Sequence, residues 1–166
     1  QGLSITKASD SYITDSAAGA TAMATGNKTN NRFISVDENG KALGLITQQL
    51  AKKNFKTAII SAGNITDATP AAFYAHQPER SYSEPIANDF LSNPSDILIG
   101  GGLKEFKARK DGKDLSKLLI EKGYTFSDQF SSLDTIKNNK IVVLDDSAVV
   151  SIKEGRGDFL TKSLSK

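Results

Sequence analysis

Short apolar runs alternate along the chain with stretches whose hydrophobic positions recur at helical spacing. This alternation is typical of a layered α/β domain in which helices cover a largely parallel sheet. We therefore predict a three-layer α/β/α fold with the ligand site at the carboxyl ends of the strands. The predicted strands are 56–61, 97–99, 124–127 and 140–145.

The first predicted helix covers residues 16–25 and is rich in alanine. Asp15 or Ser16 can serve as its N-cap, because both side chains accept hydrogen bonds from first-turn N–H groups. Gly26 stands where a C-cap is expected. The small side chains would allow this helix to pack closely against its neighbours.

The second predicted helix, over 44–53, is defined by apolar residues along one stripe. The residues of this stripe are Leu45, Ile46, Leu50 and Ala51. Pro70 is well placed to open a short helix after a glycine- and threonine-rich stretch. Further helices are predicted over 83–92 and 115–122, and another begins near residue 157.

Composition narrows the function classes. The 166 residues include 21 basic and 19 acidic side chains, and a net charge of +2 argues against a specific nucleic-acid partner. Acids interrupt the most basic stretch, 104–113, so we interpret it as a solvated face. The absence of cysteine excludes disulfides and thiolate metal sites, and no apolar run approaches the roughly 18 residues of a membrane span.

The candidate chemistry begins at Ser16, where a loop turns into the small-residue helix. An anion at this position would be stabilised by free N–H groups and by the helix dipole. Two interpretations stay open from the residues alone, because serine is also a common helix cap. A serine nucleophile needs a base or a metal, and His76, the one histidine, does not make a triad.

Three segments in order carry a resemblance to a known family. Residues 14–29, T-D-S-A-A-G-A-T-A-M-A-T-G-N-K-T, resemble the nucleophile segment of alkaline phosphatases. The second block is D-A-T-P-A-A at 67–72, followed by Y-A-H and Arg80, and the third is D-I-L-I-G-G-G at 96–102. The resemblance is strongest over 11–106, and we interpret 1–166 as one partial domain of this type.

The resemblance implies roles for three residues in phosphoryl transfer. Ser16 would be the nucleophile that is phosphorylated and then dephosphorylated by water. Arg80 would clamp two phosphoryl oxygens with its planar fork, and Asp15 would orient that arginine. The alternatives are a helix cap for Asp15 and an ordinary surface arginine near Glu79 and Glu84.

The resemblance also implies two zinc ions and a magnesium ion. Thr69 would be a direct magnesium ligand, Asp67 would act on the same metal through water, and Ser16 would contact zinc. The alternative for Asp67 and Thr69 is a polar loop that caps the helix at Pro70. We interpret His76 as structural.

The sequence departs from the family in its zinc ligands. An upstream aspartate and a downstream block of aspartate and histidine ligands are absent, and zinc sites need several such ligands. We therefore expect an internal fragment with negligible activity alone. The resemblance implies phosphate monoesters and inorganic phosphate as ligands and a periplasmic or secreted location. An uncovered sheet edge would favour a homodimer.

Two other functions remain open at this stage. A related phosphodiesterase or sulfatase would share the same core, although the arginine clamp favours a monoester and a serine nucleophile favours a phosphatase. A non-catalytic module could keep the fold and bind an anion at the Ser16 helix terminus.

Overall fold

The computed structural model describes residues 5–155 and 157–165. Its sheet has four strands in the order β1-β2-β4-β3, and every neighbouring pair is parallel. The parallel α/β class predicted from the sequence is therefore confirmed. The strands are β1 (Ala58–Asn64), β2 (Ile97–Gly101), β3 (Thr125–Ser127) and β4 (Ile141–Leu144).

Helices connect the strands and extend beyond the last of them, and the final residue, 166, lies outside the described residues. The α-helices are α1 (Ser16–Thr25), α2 (Ile46–Lys52), α3 (Ala68–Ala71), α4 (Ser83–Asp89), α5 (Lys104–Lys107), α6 (Leu115–Glu121) and α7 (Phe159–Leu164). Short 3-10 helices cover Phe130–Asp134, Asp146–Val149 and Ile152–Glu154. None of the helices described is long and apolar enough to cross a bilayer.

Alternate residues of the central strands face two separate cores. Leu98 and Val142 belong to the larger core, which includes buried residues of α1, α3, α4, α5 and α6. Ile99 and Val143 belong to the smaller core, where Phe159 of α7 packs with residues from the 3-10 helices. The three predicted layers are present, and the second outer layer is made mainly of short 3-10 turns and α7.

Helix α1 has the predicted bounds because both of its ends are capped. The Asp15 carboxylate accepts a hydrogen bond from the Ala18 N–H at 2.9 Å, so Asp15 is the N-cap. Gly26 ends the helix at φ 74°, a conformation that glycine adopts without steric cost. Alanine side chains on the buried face let α1 pack against α3 in the larger core.

The predicted apolar stripe on the second helix is wrong. No residue of α2 is buried; Leu45 is buried but precedes the helix, and Ile46 is 40% exposed. Polar contacts attach α2 instead. The Thr47 hydroxyl donates to the Phe73 carbonyl at 2.6 Å, and the Gln48 amide donates to Asn93 Oδ1 at 2.6 Å.

Strand β1 lies at one edge of the sheet rather than in its interior. Only Ile59 of this strand is buried, so the prediction of a buried strand is wrong there. Among the described residues, no other strand pairs with the outer side of β1. Self-association through this edge stays a prediction, which sedimentation of the chain would test.

The triple glycine at the end of β2 allows close packing between strands and loop. A Cβ on Gly100 would lie 3.1 Å from the Gly63 carbonyl oxygen, and one on Gly101 would lie 2.8 Å from Val149 Cγ1. Both distances are shorter than ordinary Cβ contacts, so a side chain at either position would displace its neighbours, which explains the glycines at the carboxyl end of β2.

The basic stretch 104–113 is not solvated throughout, and that interpretation is wrong at Arg109. The Arg109 side chain is only 4% exposed and donates to the carbonyls of Glu84 and Glu105 at 2.9 and 3.0 Å. Its fork also binds both Asp111 oxygens at 2.9 and 2.7 Å. These bonds lower the pKa of Asp111 to about 2.

Candidate active site

Three predicted site residues meet at the start of α1. Arg80 Nη1 donates to Ser16 Oγ at 2.7 Å and to Asp15 Oδ2 at 3.2 Å. Ser16 is exposed and is the first residue of the helix. Arg80 lies 64 positions further along the chain, so the fold brings these groups together. We call Asp15, Ser16 and Arg80 the Ser16 cluster.

Asp15 holds this cluster through both carboxylate oxygens. Oδ1 accepts from the Ala18 N–H at 2.9 Å, and Oδ2 accepts from the Arg32 N–H at 3.1 Å as well as from Arg80. Partial burial by itself raises the pKa of the Asp15 carboxyl, but the hydrogen bonds from Ala18, Arg80 and Arg32 outweigh it and lower the pKa. Asp15 therefore caps the helix and also contacts the arginine.

Arg80 keeps donors free for a ligand. Only Nη1 is engaged among the described residues, and the side chain is 32% exposed. Neither Glu79 nor Glu84 forms an ion pair with it in the described part of the chain. Its partners are therefore Asp15 and Ser16 rather than its acidic neighbours, and its role as a phosphate clamp stays a prediction.

A second loop, which no sequence motif indicated, supports the cluster. Asn31 Oδ1 accepts from the Asp15 N–H at 2.8 Å, and its amide donates to the Ile13 carbonyl at 2.9 Å. The next residue, Arg32, has a left-handed backbone with φ 72°. Tandem asparagines at Asn30 and Asn31 signal a turn, but nothing local in the sequence shows which loop that turn supports.

Arg32 forms a forked ion pair with Glu79. Arg32 Nε and Nη2 donate to the two Glu79 oxygens at 2.8 and 2.6 Å. Glu79 Oε1 also accepts from the Ser81 N–H at 2.9 Å. The bonds from Arg32 and Ser81 lower the pKa of Glu79 to about 2, and the carboxylate in turn raises the pKa of Arg32.

Asp67 and Thr69, which we call the Asp67 loop, follow β1 and lead into α3. Both residues are exposed, and neither side chain has a hydrogen bond or an ion pair with another described residue. Asp67 occupies the N-cap position of α3 without a side-chain capping bond, so capping is not its role here. Helices α1 and α3 pack together, but no described polar contact joins this loop to the Ser16 cluster.

His76 has a structural environment. Its ring Nε2 lies 2.8 Å from the Leu43 carbonyl oxygen, and Nδ1 lies 3.3 Å from the Asn93 amide nitrogen. A neutral imidazole satisfies both contacts by donating from Nε2 and accepting at Nδ1. Both ring nitrogens are thus used by the protein, as the structural interpretation requires.

The metals implied by the resemblance fit these residues unequally. Within 5–155 and 157–165, no three His, Cys, Asp or Glu side chains converge, so these residues do not fit a zinc pair. The Asp67 loop offers a carboxylate and a hydroxyl that have no hydrogen-bond partner in the part of the chain that the structure describes. Such hard oxygen donors suit magnesium.

Comparison with known proteins decides the family of the chain. The family model described as alkaline phosphatase matches residues 1–144. The chain belongs to the alkaline phosphatase family. The match extends past the 11–106 stretch in which the sequence resemblance was strongest.

Two curated relatives, one from a bacterium and one from a yeast, are named alkaline phosphatases. The chain is 36% identical over 141 residues to alkaline phosphatase 4 of Bacillus subtilis (strain 168), covering 81% of this chain and 30% of that protein. It is 36% identical over 156 residues to the alkaline phosphatase of Schizosaccharomyces pombe, covering 86% of this chain and 29% of that protein. The chain therefore spans only about 30% of these relatives.

Solved structures agree along almost the whole chain. Alkaline phosphatase from the Antarctic bacterium TAB5 superposes with a TM-score of 0.93 at 38% identity, covering 99% of this chain and 49% of that one. A histidine-to-aspartate mutant of TAB5 alkaline phosphatase, with Mg bound in its M3 site, gives a TM-score of 0.91 at 39% identity and covers 98% of this chain and 48% of that one. The chain thus spans about half the length of these structures.

Proposed function

We propose that this chain carries the phosphoryl-transfer residues of a metal-dependent phosphate-monoester hydrolase that acts through a phosphoserine at Ser16. Membership of the alkaline phosphatase family supports the reaction class. The observation that carries the assignment of residues is the 2.7 Å hydrogen bond from Arg80 to the exposed Ser16 hydroxyl, made by an arginine whose Nη2 and Nε have no partner among the described residues.

The proposed reaction has two transfers. Ser16 Oγ attacks the phosphorus of the ester, the bond from phosphorus to the alcohol oxygen breaks, and the serine proton ends on the departing alcohol. Water then attacks the phosphoserine, which releases inorganic phosphate and restores the hydroxyl. Splitting one displacement into two steps is the usual advantage of a covalent intermediate.

Arg80 supports both transfers by holding negative charge. Its bond to Ser16 Oγ stabilises the oxygen as it loses its proton, and the free Nη2 and Nε donors can bind phosphoryl oxygens. Prealigned donors of this kind stabilise charge as it develops in a transition state. Asp15 keeps the guanidinium in place through its 3.2 Å contact.

The start of α1 adds to this stabilisation. Ser16 is the first residue of a ten-residue helix, so a phosphoryl group on its oxygen lies at the positive end of the helix dipole. The contribution is secondary to Arg80, because a helix dipole carries only a partial charge.

We place magnesium at the Asp67 loop, with Thr69 as a direct ligand and Asp67 acting through water. A bound divalent ion would polarise water and neutralise phosphoryl charge near the site. The zinc requirement, including the contact to Ser16, stays a prediction from the family resemblance. Export to the periplasm or the exterior likewise stays a prediction.

The test is a phosphoserine trap on the full-length natural protein with zinc and magnesium supplied. Wild type and Ser16→Ala are incubated with labelled phosphate ester, quenched and digested. Label on the peptide that contains Ser16, absent from the variant, supports the proposal. Undiminished turnover in Ser16→Ala refutes it, and phosphate binding without any label in wild type would favour an anion-binding module.

A further inference from the structure

We propose that the Arg32–Glu79 pair is a positioning device that keeps Arg80 directed at Ser16. The inference rests on the proposed function, because it assigns a role to residues that touch the Ser16 cluster and not the substrate. The family resemblance assigned no role to either residue. Arg32 follows the nucleophile segment 14–29, and Glu79 stands directly before Arg80.

Hydrogen bonds connect Arg32 and Glu79 to the Ser16 cluster. The Arg32 backbone N–H donates to Asp15, while its side chain binds Glu79. Glu79 in turn accepts from the Ser81 N–H. Glu79 directly precedes Arg80 and is joined through Arg32 to Asp15, while Ser81, directly after Arg80, binds the same Glu79 carboxylate.

Glu79 pairs with the distant Arg32 and not with the adjacent Arg80. Glu79 is the sequence neighbour of Arg80, and a free carboxylate beside a guanidinium would compete with Ser16 for its donors. Arg32 occupies both Glu79 oxygens, at 2.8 and 2.6 Å. The pair therefore removes a competing acceptor from Arg80 as well as fixing its loop.

The backbone of Arg32 has an unusual conformation. This residue adopts φ 72°, a region that residues other than glycine seldom occupy. The unusual conformation allows one residue to direct its N–H at Asp15 and its side chain at Glu79. Persistence of such a backbone indicates that the surrounding contacts hold it.

A matched fork elsewhere in the chain provides the control. Arg109 binds Asp111 with the same two-bond geometry, and the pKa of Asp111 is lowered to the same value of about 2. That pair joins residues two positions apart, whereas Arg32 and Glu79 are 47 apart. Asp111→Asn therefore removes an ion pair of the same two-bond geometry, with a more buried arginine (4% exposed against 57% for Arg32), without touching the Ser16 cluster.

The experiment compares Arg32→Ala, Glu79→Gln and the double variant in the full-length protein with zinc and magnesium. We expect kcat/KM of Arg32→Ala to fall about 10- to 100-fold, because a small misplacement of a catalytic group has effects of this size. We expect the double variant to recover about threefold or more relative to Arg32→Ala, because the released carboxylate is gone. The inhibition constant for inorganic phosphate should rise in Arg32→Ala and return toward the wild-type value in the double variant.

Two further variants separate positioning from folding. Arg32→Lys keeps a charge but not the fork, so its kcat/KM should lie between Arg32→Ala and wild type. Asp111→Asn should leave kcat/KM unchanged even where the melting temperature falls. Thermal unfolding of every variant identifies any that do not fold, and Arg32→Lys then replaces Arg32→Ala, alone and in the double variant.

Additive losses in the double variant, or wild-type kcat/KM in Arg32→Ala, would overturn the inference. The phosphoserine trap distinguishes this from failure of the proposed function. If label at Ser16 persists while Arg32→Ala behaves as wild type, only the positioning role fails. If Ser16→Ala keeps full turnover, the proposed function fails first.

Discussion

The Ser16 cluster and the Asp67 loop differ in how completely this chain assembles them. In the cluster, a side chain from a distant loop reaches Ser16 and Asp15 at hydrogen-bond distance. In the Asp67 loop, a carboxylate and a hydroxyl are exposed without a hydrogen-bond partner among the described residues. The residues proposed to hold a phosphoryl group are therefore in contact with one another, whereas the two side chains proposed to bind magnesium make no polar contact with the described residues.

The largest expected effect follows from that difference. We expect the 166-residue chain alone to turn over phosphate monoesters about 10³-fold or more slowly than the full-length protein, because several kcal/mol of metal stabilisation would be missing. Purified chain is assayed with zinc and magnesium, after circular dichroism has shown that it is folded. Zinc-dependent turnover at the full-length rate would show that the chain's own residues suffice.

Substitutions of Arg80, in the Ser16 cluster, should have the next largest effect. In the full-length protein, Arg80→Ala should lower kcat/KM about 10²- to 10³-fold, the range for removing one prealigned donor. Arg80→Lys should recover part of the loss, since it keeps the charge without the planar fork. Lys104→Ala, an exposed cation without an ion pair in the described structure, is the control. Wild-type activity in Arg80→Lys would contradict a two-oxygen clamp.

Changes in the Asp67 loop should act on magnesium rather than on Ser16. In Asp67→Ala and Thr69→Val, the magnesium concentration for half-maximal activity should rise about 10- to 100-fold. Excess magnesium should restore most of the rate, because the Ser16 cluster remains intact. Asp134→Ala removes an equally exposed carboxylate from a 3-10 helix and should have no effect. An unchanged magnesium dependence would separate this loop from the metal.

The smallest expected effect is on the free energy of unfolding, through the Arg32–Glu79 pair beside the Ser16 cluster. Folding lowers the pKa of Glu79 from 4.5 to about 2, so its contribution to stability is fully present above pH 4.5 and is lost as the pH falls toward 2. The free energy of unfolding of wild type should therefore exceed that of Glu79→Gln above pH 4.5, and the difference should vanish near pH 2. Denaturant titrations across this range measure it, and a pH-independent difference would contradict the pKa shift.

Local signals predicted helix α1 and the central strands well. Asp15 and Gly26 cap α1 within the sequence itself, so both ends were readable. The α2 stripe failed because periodicity shows which residues share a face but not whether another element covers it. Ile46 lies on such an uncovered face and is 40% exposed.

The site likewise contains residues that sequence motifs identify and contacts that only the fold shows. Ser16, Asp15 and Arg80 were found through motifs, and their contact required the fold. Arg32 and Glu79 were missed because they are 47 positions apart and neither stands in a recognisable motif. Arg109 was misjudged because nearby charges suggested solvent, while its actual partners include the carbonyl of Glu84, 25 positions earlier.

Asp15 serves both helix α1 and the Ser16 cluster. One carboxylate begins helix α1, accepts the Arg32 amide and contacts Arg80. Serine or asparagine could begin the helix nearly as well, but neither carries the negative charge that the arginine meets. We therefore expect Asp15→Asn to keep the start of α1 while removing the negative charge that Arg80 contacts, so the two duties of this side chain can be separated by one substitution.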